Sequence, residues 1–320
     1  PGFGAALCVR AQAAKGVAED ELVVSVPRGL LLSESTALRV DAITALFGGD
    51  AVASQFPETL VALQLLYEHK RVGASSHWAP FIAALPERFA TPLFWSTDDF
   101  GALRGSAALY ESLMAVKAAA TQYCHLFHEL AKERGGALRF LPPHAFTWPL
   151  FAWALSAVMT RKNRVPALPD EDADLLRARK RGATRPTGAQ DEEQTMVCLI
   201  PVWDLHNHEP GRITTFAVPR TGTVECRAMR SFAPGEQVFI HYGDRPNMQL
   251  LSHNGFVLSN APNPADIVLV ARPTLAGDEA LQKQKQKQEL LAQFVPREVG
   301  AYAFFVATHT SEPSPALMAA

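Results

Sequence analysis

Two histidines stand one residue apart in the segment Trp203-Asp204-Leu205-His206-Asn207-His208. On an extended strand such a pair shares one face, and that spacing suits two metal ligands. A protein metal centre needs further ligands close by. The neighbouring sequence offers no third ligand of suitable spacing, so no metal is expected. His125 and His128, at i and i+3, could pinch a metal from one face of a helix, but they read more simply as a surface or core pair. Cys8, Cys124, Cys198 and Cys226 form no C-x-x-C pair. They are too sparse for a disulfide framework, which points to a reducing compartment. Taken alone, Tyr242 is a core tyrosine at a strand end, and Asn163 is a residue that stops the preceding helix.

These residues need a scaffold, and the composition bounds it. The chain has 320 residues, 48% of them hydrophobic, with a formal net charge of −2. The length fits one large domain or two ordinary ones with a substantial core. A near-neutral balance excludes a general nucleic-acid binder. No apolar run reaches membrane-spanning length, so no membrane segment is expected. The chain starts at Pro1 rather than Met, which reads as a fragment.

The pattern along the chain is α+β. Residues 21 to 32 form a β-branched strand broken at Pro27-Arg28, with proline fitting an edge or a bend. Residues 34 to 72 are helical, and Leu60, Leu63, Leu66 and Tyr67 mark one apolar face. Residues 77 to 95 read as packed irregular structure. Residues 98 to 133 are helical and end at Gly135-Gly136. The spacing predicts another helix over Phe146 to Met159, with Thr147 as N-cap and Pro149 in its first turn. Residues 167 to 195 read as a mobile surface loop. Short strands follow over 197–202, 214–218, 224–228 and 237–241, with turns at Pro219–Gly222 and Ala233–Gly235. Residues 279 to 295 read as a helix.

Several blocks in order carry a resemblance: VPRGLLLS (26–33), WAPFIAALP (78–86), TPLFW (91–95), FAWALSAVMTRKNRVP (151–166), LIPVWDLHNH (199–208), GEQVFIHYGDRPN (235–247) and HNGF (253–256). Together they are similar to the SET-domain methyltransferases of the Rubisco large-subunit methyltransferase type. Within that type they look closest to the branch that methylates histidine in actin. The resemblance implies a SET β-fold with a pseudoknot, in which the segment of Asn207-His208 packs against the segment ending in Tyr242. It also implies a helical insertion at about 40–150 (an iSET arrangement). The SET domain would span 1–258, and a truncated C-terminal helical substrate-binding region 259–320.

The resemblance further implies S-adenosyl-L-methionine as cofactor, held by Arg161, Asp204, Asn207, His208 and Tyr242, with Asn254, Gly255 and Phe256 against the adenosine. Tyr242 and Asn163 would be catalytic; Trp203, Asn163 and Arg245 would hold the substrate. One departure stands at the N-terminus. Gly2-Phe3-Gly4 is followed by AALCVRAQAAKG before the first strand, where the family runs directly into it, and Arg10 or Gln12 falls where the family often has an arginine.

Elementary chemistry weighs the target. A neutral imidazole attacks only through its unprotonated nitrogen, and its N–H then needs an acceptor, which an Asn oxygen can supply. Neutralising a lysine at pH 7 costs about 4.6 kcal/mol, whereas histidine is already mostly neutral. Trp203 and Asn163 suit a flat, tautomer-selecting pocket. Together with the resemblance, which implies actin as substrate, the expectation is a protein-histidine N-methyltransferase acting on actin, monomeric and cytoplasmic, with nucleus or plastid as other locations. The alternatives are a protein-lysine methyltransferase of the same fold and a catalytically inactive peptide-binding module.

Overall fold

A computed structural model describes residues 6–46, 56–132, 141, 146–168, 172, 195–259, 263–271 and 303–307. The anticipated 279–295 helix, the Gly135-Gly136 stop, the Gly2-Phe3-Gly4 segment and nearly all of the 167–195 loop lie outside these residues.

β-branched and alternating stretches build three small β units. The first is antiparallel, in the order β1 (Leu22–Pro27), β7 (Thr223–Arg227), β6 (Thr215–Val218). Pro27 sits on β1, an edge strand, where its missing N–H costs no ladder bond. β6 and β7 form a hairpin with Val218 opposite Thr223, and Val224 and Cys226 turn inward at strand spacing. The second unit runs β2 (Leu32–Ser33), β4 (Thr195–Leu199), β3 (Asn163–Pro166), all antiparallel. The third is a parallel pair, β5 (Asn207–His208) with β8 (Phe239–Ile240). Beyond it, β9 (Ile267–Ala271) and β10 (Ala303–Ala307) pair antiparallel. Within 259–320, where a helical region was anticipated, the described secondary structure is this strand pair.

Helices fill the space between β2 and β3. Ser33 caps α1 (Glu34–Leu38): its hydroxyl accepts from the Thr36 amide, and the Thr36 hydroxyl accepts from the Ser33 amide. Glu34, though buried, accepts the Val197 N–H at 2.6 Å and so ties this helix to β4. Next come α2 (Asp41–Leu46) and α3 (Pro57–Tyr67). The one-faced pattern anticipated for α3 is corrected: every residue from Thr59 to Leu66 is buried. A helix that is apolar all round sits inside the core rather than on it. Residues 77–95 are more regular than anticipated. They include α4 (Ala79–Ala84) and a 3-10 turn at Pro92–Phe94. Then follow α5 (Thr97–Ala102), α6 (Ala107–Lys132) and α7 (Trp148–Arg161). None of the described helices is long and apolar enough to cross a membrane.

α7 packs against α3, and its Phe151, Ala152, Ala154, Leu155, Ala157 and Val158 are buried in the same hydrophobic core as the α3 leucines. Thr147 occupies the N-cap position in extended conformation, but its side chain makes no capping bond. The helix runs two residues past Met159. Arg161 is its last residue, Lys162 the C-cap, and Asn163 already begins β3. Asn163 is therefore not a helix cap.

Because α3 has no exposed face to relax toward, Leu63→Ala should cost about 2–5 kcal/mol of unfolding free energy, read as a lower denaturant midpoint at unchanged slope.

Candidate active site

The site is assembled where β5 and β8 cross. The 3-10 turn Trp203–Leu205 leads into β5, and Tyr242 follows directly after β8 and His241. Asn207 lies opposite Phe239 and His208 opposite Ile240. The Tyr242 hydroxyl donates to the His206 carbonyl at 2.7 Å, and the Tyr242 amide donates to His208 Nδ1 at 3.1 Å. Gly243, with φ of 98°, lets the chain turn sharply after Tyr242. The N-terminal stretch wedges in as well. The Leu7 amide donates to the Leu205 carbonyl at 3.3 Å, and the Leu7 carbonyl accepts from Val238 at 2.8 Å.

The end of α7 supplies the opposite wall. Arg161 reaches Asp204 (Nε to Oδ2, 3.3 Å) and lies over the Phe89 ring at 5.2 Å. Asp204 is deeply buried, its side chain 2% exposed, and its Oδ1 has no hydrogen-bond partner. Burial pushes its carboxyl up to about 6 against the opposing pull of Arg161. Burial also lowers the Arg161 guanidinium, opposed by Asp204 and Tyr242. For both members, desolvation outweighs their mutual attraction.

This ion pair stands between two cavities. One, of about 270 Å³, is walled by Arg161, Asn163, Trp203, Asp204, Tyr242, Arg245 and Asn254 together with His206 and His241. The other, of about 280 Å³, is mostly apolar, with Leu30, Trp78, Phe81 and Leu205 among its walls, and it too is bounded by Arg161 and Asp204.

Within the first cavity the side chains are held by specific bonds. Trp203 is buried, and its indole N–H donates to Thr215 Oγ1 at 2.8 Å. The Asn163 oxygen accepts the Arg164 amide at 2.7 Å, which orients the amide and leaves one lone pair and the NH2 group. Arg245 donates to the Asn254 oxygen at 3.1 Å, while the Asn254 NH2 donates to the Thr160 carbonyl at 3.2 Å. His206 Nδ1 lies 2.7 Å from the Trp203 carbonyl. A carbonyl can only accept, so the proton is on Nδ1 and Nε2 carries a lone pair, unpartnered. Burial holds the His206 imidazole below its usual range. Burial, then the neighbouring His241, lowers His208 to about 4. Burial raises the Tyr242 phenol to about 12.

Of the residues singled out from the sequence, Arg161, Asn163, Trp203, Asp204, Tyr242, Arg245 and Asn254 share one cavity. His208 and Phe256 form a ring cluster beside it, with Tyr242–His208 centroids 5.1 Å apart and His208–Phe256 6.1 Å apart. Asn207 is placed by its pairing in β5. Gly255, at φ 80°, is backed so closely by Ala90 that a Cβ would lie 2.7 Å from its carbonyl, so only glycine fits there. Sequence reasoning did not find His241, Ile213 or Thr215 as cavity walls, and it weighed His206 only as a metal ligand. Nothing in their spacing marks them, because they come from separate elements. Among the described residues, no group of three or more His, Cys, Asp or Glu could hold a metal.

A small β scaffold with a parallel crossing at an Asn-His pair and a tyrosine closing it is the SET architecture, and solved structures agree. The chain superposes on the SET domain of LSMT bound to lysine and AdoHcy with a TM-score of 0.66 at 19% identity, covering 95% of this chain and 61% of that one. It superposes on Rubisco LSMT bound to AdoMet with a TM-score of 0.64 at 18% identity, covering 95% and 60%. The chain has the SET-domain fold of these structures. By sequence it belongs to the family of the actin-histidine N-methyltransferases. The Drosophila melanogaster protein is 35% identical over 259 residues, covering 78% of this chain and 44% of the relative. The Danio rerio protein is 30% identical over 302 residues, covering 94% and 45%. The chain thus spans less than half the length of these curated relatives. No family model matches.

The raised carboxyl of Asp204 makes a prediction about stability. Its native value of about 6 lies above the ordinary 3.8, so between those values the native state binds more protons than the unfolded state. Stability should fall as pH rises through that window, by up to about 3 kcal/mol. Urea unfolding of the wild-type chain and Asp204→Asn at pH 4 and pH 7 checks this: the drop should be present in the first and smaller in the second.

Proposed function

We propose that this protein is an S-adenosyl-L-methionine-dependent protein-histidine N-methyltransferase and that actin is its protein substrate. One observation carries the reading: the cavity of about 270 Å³ gathers Asn163, Trp203, Tyr242 and Arg245 and is backed by the Arg161–Asp204 pair. The relatives bear the name actin-histidine N-methyltransferase, and the neighbours were solved with AdoMet or AdoHcy. An actin substrate also favours the cytoplasm.

The residues fit such a cofactor. Its amino-acid end carries one carboxylate and one ammonium. Arg161 offers a desolvated cation, and Asp204 offers a carboxylate oxygen with no partner. His208 and Phe256 supply aromatic faces beside them, suited to a nucleobase. When bound, the cofactor supplies an electrophilic methyl group on a sulfonium sulfur.

The chain's own residues do the rest. Trp203, anchored by Thr215, gives a flat wall for an imidazole. Asn163, held by Arg164, presents its remaining lone pair to the ring N–H, which leaves the other ring nitrogen free to attack. Arg245, braced by Asn254, is a fixed donor for a peptide carbonyl or carboxylate. The Tyr242 hydroxyl donates its hydrogen bond to the His206 carbonyl, so its oxygen lone pairs are available to a methyl group's hydrogens. Positioning is the main contribution, since a neutral imidazole needs no activation. A lysine target would first have to lose a proton.

Incubating actin with this protein and methyl-labelled cofactor should place label on histidine, located by peptide mass spectrometry. Label on lysine alone, or none, would overturn the reading. Tyr242→Phe should lower kcat about tenfold, the worth of two weak contacts of about 0.7 kcal/mol each, with cofactor binding retained by calorimetry.

A further inference from the structure

We propose that His241, backed by Asp244, receives the proton that the target imidazole releases during methyl transfer. This role rests on the functional reading above and adds a residue to it. As the new N–C bond forms, the S–C bond breaks and its electron pair stays on sulfur. The target ring becomes an N-methylimidazolium. Its remaining N–H proton must go to a base before the product is neutral. Asn163 can accept a hydrogen bond from that N–H but cannot carry the proton.

Three basic side chains on the cavity wall have a buried atom without a hydrogen-bond partner: Asp204 (Oδ1), His206 (Nε2) and His241 (Nδ1). Asp204 is engaged by Arg161 at 3.3 Å, and protonating it would dismantle that pair. His206 is 1% exposed and its other nitrogen is committed to the Trp203 carbonyl, so a proton taken there has no way out. His241 differs. Its side chain is 8% exposed, while Nε2 lies 3.3 Å from Oδ1 of Asp244, which is 94% exposed. With Nε2 beside a solvated carboxylate, Nδ1, buried and without a hydrogen-bond partner, is the nitrogen left with a lone pair. A proton accepted at Nδ1 allows the Nε2 proton to leave through Asp244 to water, so the ring relays without accumulating charge.

The surroundings favour that exit. Arg161 and Arg245 line the same cavity, and the His208 ring centroid is 5.5 Å from that of His241. Lys162, Arg164, Asp204, His206 and Tyr242 are the other titratable groups on the wall. Asp244 is the carboxylate on the solvent side.

The test uses the whole chain with actin and labelled cofactor. His241→Ala should lower kcat about 10²-fold, with the KM for actin changed by less than about twofold, and added imidazole should restore much of the rate. Asp244→Asn, a change at an exposed position, should lower kcat about tenfold without imidazole rescue. Wild-type rates in Asp244→Asn would overturn the proposal. So would a loss in a folded His241→Ala that imidazole does not repair. Both results would leave the methyltransferase reading standing. If the wild-type chain labels no histidine, the functional reading falls and this role falls with it.

Discussion

The parallel pairing of β5 with β8 is the constraint on which the site depends. Only two residue pairs form it, Asn207 with Phe239 and His208 with Ile240. Yet it fixes the register of everything around it. A slip of one residue would turn every side chain of β8 to the other face, and Tyr242 would no longer reach the His206 carbonyl. The two bonds from Tyr242 to the β5 segment, one from its hydroxyl and one from its amide, lock that register from the far side. Leu7 locks it from the near side by bonding to both segments.

Around this crossing, burial rather than pairing sets the electrostatics. Asp204 and Arg161 are both shifted toward neutrality despite facing each other. His206 and His208 are both held in the neutral form by desolvation. A cavity lined by such groups has little water-like screening, and its wall residues Asp204 and His206 each keep a buried atom without a hydrogen-bond partner. That arrangement costs folding free energy and is characteristic of preorganised sites.

The helical block explains how so buried a site can sit on such short strands. α3 is buried on all sides, and α7 lies against it through aromatic, aliphatic and small side chains. The last turn of α7 therefore has little freedom, and it is this turn that delivers Arg161 and, one residue past the cap, Asn163. Glu34 and the Val197 amide join the block to β4.

Much of this was legible in the sequence, for physical reasons. Alternation at Val224 and Cys226 marked a half-buried strand, and the Pro219–Gly222 turn marked its hairpin. Thr147 and Pro149 marked the start of α7 to within a residue or so, because local backbone preferences act there. The ordered blocks from VPRGLLLS to HNGF carried the SET resemblance. Periodicity misjudged α3, because a helix buried all round has no polar face to set the contrast. It read 77–95 as irregular, because prolines that interrupt one pattern also open short helices. The unpartnered nitrogen of His206 and the two cavities on either side of Arg161–Asp204 were decided by tertiary structure alone. They depend on which atoms lose water when distant elements meet, and no local pattern encodes that loss.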